Sequence, residues 1–114
     1  MKETKLGDFE ETLLLLVGIL GEEAYANKLA DEFETQTERS ISIGAVHSTL
    51  TRLEEKGFLK SEMGNATAER GGRRKRIFVI TAYGRRVLKD SRDFKVSLWE
   101  QYPGFATGKI NFGF

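Results

Sequence analysis

The sequence predicts a mainly α protein with a small β-hairpin, in which three helices precede the hairpin and a fourth helix follows it. Two observations support this prediction. Apolar residues recur at helical spacing in four stretches, and two short β-rich runs flank a basic segment rich in glycine. With 114 residues, the chain is long enough for one domain with a modest core.

The first two helices supply most of the expected core. The first should begin near Asp8, because Asp8 and Glu11 have the spacing of a capping box, and Gly21 should end it. Aliphatic residues occupy most of its sides, which indicates a helix buried on most sides. The second helix should run from about Ala24 to Thr35, with an acidic outer face.

The third helix has a defined start and end. Ser42 is a favourable N-cap residue, and Gly57 follows the last turn, where a left-handed residue often closes a helix. One face is apolar. The opposite face carries small or polar groups that fit against a base edge or a phosphate: Gly44, Ser48, Thr51 and Arg52, with His47 at the flank.

A basic loop separates the two predicted strands, Phe58–Met63 and Ile77–Thr81. Its cations are Arg70, Arg73, Arg74, Lys75 and Arg76. The formal net charge is only +1, but residues 1–40 hold 4 Lys/Arg against 10 Asp/Glu, and residues 41–114 hold 14 against 7. Such an asymmetric distribution attracts a polyanion and makes binding depend on salt. A groove-sized helix beside a basic arm therefore predicts binding to double-stranded DNA.

This order of elements is the winged helix-turn-helix arrangement, which we assign to residues 1–81. The predicted DNA-binding residues are Ser42, Gly44, His47, Ser48, Thr51, Arg52, Arg70, Arg73, Arg74, Lys75 and Arg76. A second interpretation stays open at this point: acidic Glu54 and Glu55 at the end of the third helix are compatible with a winged helix that binds protein and not DNA.

The fourth helix is predicted from Ala82 to Tyr102, within a dimerisation segment assigned to residues 82–103. Thr81 caps it and Pro103-Gly104 stops it. After a complete three-helix core, its aromatic-rich stripe has no obvious surface within the chain to cover it, so we expect a homodimer. The predicted dimerisation residues are Val87, Ser91, Phe94, Leu98, Trp99 and Tyr102. The alternative is that this helix folds back on its own domain. The tail, residues 104–114, either frays or lies in an apolar groove of the dimer.

Several function classes have little support in this composition. The sequence contains no run of 18 apolar residues, the length that a membrane-spanning helix needs. The amino terminus has no signal-peptide pattern. Cysteine is absent, which excludes disulfides and a thiolate metal site. The chain has one histidine and no phosphate-cradling glycine motif, so we expect that it is not an enzyme and that it binds no metal or cofactor. A cytoplasmic location is the expectation.

Three motifs resemble the PadR family of bacterial transcriptional regulators. LGDFEETLLLLVGILGEEAY resembles the family's first helix and turn, and SIGAVHSTLTRLEEKGFLKS resembles its recognition helix. GNATAERGGRRKRIFVITAYGRRVL resembles its wing and the start of the last helix. The resemblance covers about residues 6–90. It implies a homodimeric repressor that places each recognition helix in one half-site of a near-palindromic operator. It also implies a small aromatic effector, because some members bind drugs or aromatic compounds between subunits.

Two positions qualify this resemblance. His47 stands where the family usually has tyrosine; histidine donates to phosphate and titrates near neutrality, and the simpler interpretation is a polar substitute without a switching role. Trp99 resembles a ligand-stacking tryptophan of some relatives, but it lies near the helix end, so packing against the partner subunit is the alternative. The short carboxyl-terminal region resembles the subgroup with a single dimerisation helix.

Overall fold

The structure is a computed structural model, and it describes residues 6–64 and 74–106 of the chain. It confirms the mainly α class with one antiparallel hairpin and the predicted order of elements. The main elements are α1 (Asp8–Leu20), α2 (Ala26–Thr37), α3 (Ile43–Glu55), β1 (Leu59–Met63), β2 (Arg76–Ile80) and α4 (Ala82–Gln101). A 3-10 turn, Gly21–Glu23, follows α1, and a short helix α5, Pro103–Ala106, follows α4.

The start of α1 corrects one prediction. Gly7, not Asp8, is the N-cap residue, and its N–H donates to Oε1 of Glu10 at 2.9 Å. The predicted pair of Asp8 and Glu11 was therefore wrong by one residue. Asp8 is instead the first helical residue, where a carboxylate interacts favourably with the helix dipole.

The second helix begins two residues later than predicted and runs to Thr37. Tyr25 is its extended N-cap residue, and the carbonyl of Ala24 accepts from the N–H of Phe78 at 2.9 Å. Because Ala24 is hydrogen-bonded to β2, its backbone belongs to the edge of the hairpin and not to the helix.

The core lies where α1, α2 and α3 meet the base of the hairpin. Its members are Leu13, Leu14, Leu16, Val17, Ala24, Leu29, Phe33, Val46, Leu50, Leu53, Phe58, Leu59 and Phe78. α1 packs against α2, α3, β2 and α4, which agrees with its predicted burial on most sides. Two of its residues are exceptions, because Leu15 is 48% exposed and Ile19 is 64% exposed.

The strands pair in one register, with Leu59 opposite Ile80 and Met63 opposite Arg76. Each is shifted slightly from its prediction for a physical reason. Phe58 is not in β1, because its N–H donates to the carbonyl of Leu53 at 2.9 Å and closes α3. Thr81 is not in β2, because it caps α4.

The first turn of α4 is fixed to the junction between α3 and β1. Thr81 Oγ1 donates to the Gly57 carbonyl at 2.7 Å and accepts from the Gly84 N–H at 2.9 Å. The Thr81 N–H donates to the Phe58 carbonyl at 3.0 Å. Gly84 is buried, and a Cβ built there would overlap the carbonyl oxygen of Phe58. We call Gly57, Phe58, Thr81 and Gly84 the helix-four clamp.

Replacing Gly84 with alanine is expected to lower the free energy of unfolding by about 2 kcal/mol, as overpacking of a buried site does. The overlapping atoms belong to the backbone of Phe58, so no side-chain rotation relieves the overlap. Urea denaturation followed by circular dichroism measures the change. Gly44→Ala is the matched control, because a Cβ there meets nothing within 4 Å. Equal stability of Gly84→Ala and wild type would disprove the close approach.

The end of α4 also differs from its prediction. The helix stops at Gln101, and Tyr102 is extended with ψ 119°. The residue before a proline avoids the helical region, and Pro103 then begins α5 as a favourable first helical residue. The helix therefore ends one residue before the predicted Tyr102, and the division of the chain at residues 81 and 103 stays a prediction.

Candidate nucleic-acid interface

The predicted polar face of α3 is exposed in the structure. Ser42 Oγ accepts from the Ala45 N–H at 3.0 Å, which confirms it as the N-cap. The buried side chains of the helix are Val46, Thr49, Leu50 and Leu53. The exposed side includes Gly44, His47, Ser48, Thr51 and Arg52. The helix therefore presents one continuous polar surface to solvent.

The centre of that surface is shallow. Among the described residues, a Cβ on Gly44 would meet nothing within 4 Å, and the Ser48 hydroxyl donates to the Ala45 carbonyl of its own helix at 3.3 Å. Small side chains let a helix backbone come close to a groove floor. The hydroxyls of Ser48 and Thr51 both donate and accept, so they can pair with either kind of group on a base edge.

Arg52 lies at the flank of this surface, and its guanidinium has partners within the chain. Its Nε donates to Oε2 of Glu10 at 3.1 Å, and Nη2 donates to Oγ1 of Thr49 at 3.2 Å. The side chain of Arg52 is nevertheless 52% exposed. Lys56 Nζ also contacts the Glu10 carboxylate, at 2.8 and 3.0 Å. We call Glu10, Arg52 and Lys56 the Glu10 cluster.

Glu10 is ionised and nearly buried. Burial raises the pKa of its carboxyl group, but hydrogen bonds from Gly7, Lys56 and Arg52 together lower the pKa below its ordinary value. The residue is only 7% exposed. Sequence reasoning missed Glu10, because its cationic partners lie 42 and 46 positions away and only the Gly7–Glu10 spacing gave a local signal.

Arg74 and Arg76 each donate a hydrogen bond across the hairpin. Arg74 is exposed, and its Nε donates to the Gly64 carbonyl at 2.9 Å. Arg76 donates from Nε to Ser61 Oγ at 3.1 Å and from Nη2 to Glu54 Oε1 at 3.4 Å. Arg76 therefore ties β2 to the end of α3.

Lys75 extends towards the start of α2, where its Nζ lies 4.4 Å from the ring centre of Tyr25. A cation at that distance from an aromatic face is attracted to it. Two further cations of the predicted DNA-binding set, Arg70 and Arg73, lie outside the described residues. Each described wing cation therefore has an intramolecular contact, and Arg76 is the one that reaches α3, through Glu54.

A second exposed surface runs along the outer half of α4. Val87 and Leu88 pack against the core, and Ser91 is half-buried. Beyond them, exposure rises to 63% at Phe94, 50% at Leu98, 52% at Trp99 and 58% at Tyr102. We call these last four residues the α4 stripe. Of the six predicted dimerisation residues, Val87 packs against the core, Ser91 is half-buried and the other four are exposed.

One contact reaches from the outer half of α4 back to α1. Lys95 Nζ lies 2.7 Å from Glu11 Oε1, and this hydrogen bond raises the pKa of Lys95. Leu15, Val96 and Trp99 line a groove beside this ion pair. α4 thus contacts its own domain along its first half and again through Lys95, whereas the four residues of the α4 stripe are each at least 50% exposed.

The described residues also bear on membrane and metal sites. None of the helices within residues 6–64 and 74–106 has the length and hydropathy needed to span a bilayer. The same residues bring together no group of three or more His, Cys, Asp or Glu side chains suited to a metal ion.

Three core helices, a hairpin with cations at its loop end and an exposed polar face on α3 define a winged helix-turn-helix protein. Residues 15–90 of the 114 match the transcriptional regulator PadR-like family. The chain belongs to this family, and its members are transcriptional regulators. No curated protein matches the chain.

Solved structures support the same fold. A PadR-like transcriptional regulator from Bacillus cereus is 17% identical, with a TM-score of 0.66 over 79% of this chain and 82% of that one. A PadR-like transcription factor from Bacteroides fragilis is 23% identical, with a TM-score of 0.65 over 82% and 84%. A PadR family regulator from Eggerthella lenta is 22% identical, with a TM-score of 0.60 over 88% and 83%.

Proposed function

We propose that two copies of this chain bind a near-palindromic operator in double-stranded DNA and repress transcription by occluding the promoter. The observation that carries this proposal is the exposed polar face of α3, a helix whose carboxyl-terminal end is joined to the hairpin by the ion pair of Arg76 and Glu54. Family membership supports the regulatory role. A cytoplasmic location follows from binding genomic DNA in a bacterial cell.

In this proposal the amino-terminal half of α3 enters the major groove. Its central residues, Ser48 and Thr51, would contact base edges, and Ser42, Gly44 and His47 would lie nearest the backbone. Glu55 is exposed at the far end of the helix, where it would stand away from phosphates. The cations of the wing would hold the sugar-phosphate backbone and fix the register without reading sequence.

The α4 stripe would form the contact between the two copies. Several large apolar side chains on one helix are about half-exposed or more, and a closed two-fold pair is the most common way to cover such a surface. A small aromatic effector would bind beside Trp99, which lies 6.1 Å from Tyr102 between ring centres. Trp99 is the only tryptophan, so quenching of its fluorescence by an aromatic compound tests that part.

Selection of bound duplexes from random DNA tests the proposal as a whole. We expect enrichment of a near-palindrome whose half-site centres lie about one helical turn, or a multiple of it, apart. Light scattering of the complex should give two chains per duplex. A dimer that retains no duplex even at low ionic strength would disprove the proposal and favour a winged helix that binds protein.

Replacing both Arg73 and Arg74 with alanine is expected to weaken binding to all duplexes alike. For every phosphate that the variant no longer neutralises, the slope of log affinity against log salt should flatten by about 0.9. Titrations at several salt concentrations measure that slope. Lys28→Ala removes a cation from α2, where it pairs with Glu23 at 3.7 Å, and should leave the slope unchanged. An unaltered slope in the double variant would contradict the role of the wing.

A further inference from the structure

We propose that Glu10, on α1, positions the guanidinium of Arg52 for contact with DNA. Glu10 would then be a positioning residue for recognition although it lies outside α3 and touches no nucleotide. This inference rests on the proposed function, because it assumes that the exposed face of α3 meets a duplex. It adds a residue that is absent from the predicted DNA-binding positions.

The first step in the argument is that the carboxylate itself is fixed. Glu10 is 7% exposed and accepts from the Gly7 N–H at the start of α1, at 2.9 Å. Its backbone belongs to a helix that supplies four buried core residues. The Glu10 side chain is thus fixed at its backbone by the core helix and at Oε1 by the Gly7 N–H, so it has little freedom to follow the movements of a surface arginine.

The second step is that this carboxylate orients Arg52. Its Oε2 accepts from Nε of Arg52 at 3.1 Å, while Oγ1 of buried Thr49 accepts from Nη2 at 3.2 Å. Two anchors on a planar group fix both its position and its plane. A guanidinium has five N–H donors, so further donors remain on a side chain that is 52% exposed.

The third step concerns what such anchoring does to binding. A free arginine loses conformational entropy when it is immobilised at an interface, and orienting it beforehand removes that cost. The negative charge of Glu10 does not oppose DNA, because Arg52 and Lys56 together outweigh it within the Glu10 cluster. The cluster as a whole presents a positive edge beside the polar face of α3.

A double-mutant cycle on a duplex selected by the wild-type protein tests the inference. Arg52→Ala should weaken binding about tenfold or more, as removing an arginine that touches DNA does. Glu10→Gln should weaken it severalfold, although the substituted residue never meets the DNA. The double variant should bind no more weakly than Arg52→Ala alone. Circular dichroism at the binding temperature establishes that each variant is folded.

Lys56→Gln is the matched control, since it removes the other cation from the same carboxylate. Its effect on affinity should add to that of Arg52→Ala. The inference is overturned if Glu10→Gln binds as tightly as wild type or more tightly, or if its effect adds to that of Arg52→Ala. It is also overturned if Arg52→Ala leaves affinity unchanged. Failure of the wild-type chain to select any duplex would instead refute the proposed function, before any variant is compared.

Discussion

Replacing Leu98 with glutamate is expected to turn the proposed dimer into monomers and abolish binding to the proposed operator at working concentrations. Leu98 is 50% exposed and lies between Phe94 and Tyr102 on the α4 stripe. In a two-fold pair, the substitution would bury a carboxylate from each copy without a partner, which costs several kcal/mol. A decrease of about 4 kcal/mol in dimer stability raises the dissociation constant roughly a thousandfold.

The failure to bind DNA should follow from the separation of the pair. Two linked half-site contacts raise affinity by about 10²–10⁴ over one contact alone, and a monomer forfeits that gain. Light scattering after size exclusion measures the mass, and a mobility-shift titration measures binding. Ser97→Glu adds the same charge to an exposed neighbouring position on α4 and should preserve both. If Leu98→Glu stays dimeric, the α4 stripe is not the interface.

Replacing Ser48 with glutamate is expected to lower affinity for the proposed operator on the order of 100-fold. It would remove the proposed hydrogen bond to DNA and add repulsion, each about 1–2 kcal/mol. Ser48 is exposed in the middle of the polar face of α3, and its hydroxyl donates to the Ala45 carbonyl of the same helix at 3.3 Å. The folded state should therefore keep its melting temperature and its dimer mass.

The matched control is Thr35→Glu, which adds the same charge at an exposed position of α2. That helix already carries an acidic outer face, so binding should change little. A titration of wild type and both variants on one duplex compares them directly. Equal affinities for Ser48→Glu and Thr35→Glu would mean that the polar face of α3 does not approach the nucleic acid.

Local sequence signals were sufficient for the parts of the fold that depend on neighbouring residues. The caps at Ser42 and Thr81 and the left-handed Gly57, with φ 85°, depend on hydrogen bonds within a few positions. Where two local patterns competed, the sequence was ambiguous. The spacing from Gly7 to Glu10 equals that from Asp8 to Glu11, and the structure uses the first.

Features that depend on how distant elements pack could not be predicted. The Glu10 cluster forms only because α1 lies against α3, and no periodicity in either segment encodes that contact. The late start of α2 has a similar cause, since the Ala24 carbonyl accepts a hydrogen bond from Phe78 in β2. Charge counting identified the wing cations but not their partners, such as Glu54 for Arg76.

The helix-four clamp has a consequence for the operator. The clamp fixes the start of α4 to the end of α3, because Thr81 donates hydrogen bonds to the carbonyls of Gly57 and Phe58. In a pair joined through α4, the two α3 helices would be held at a fixed separation and orientation. One base pair inserted between half-sites moves them apart by about 3.4 Å and turns one by roughly 35°. A dimer whose α3 helices are held this rigidly would lose affinity for a duplex with that spacing. A dimer whose α3 helices are joined by a flexible linker would keep it.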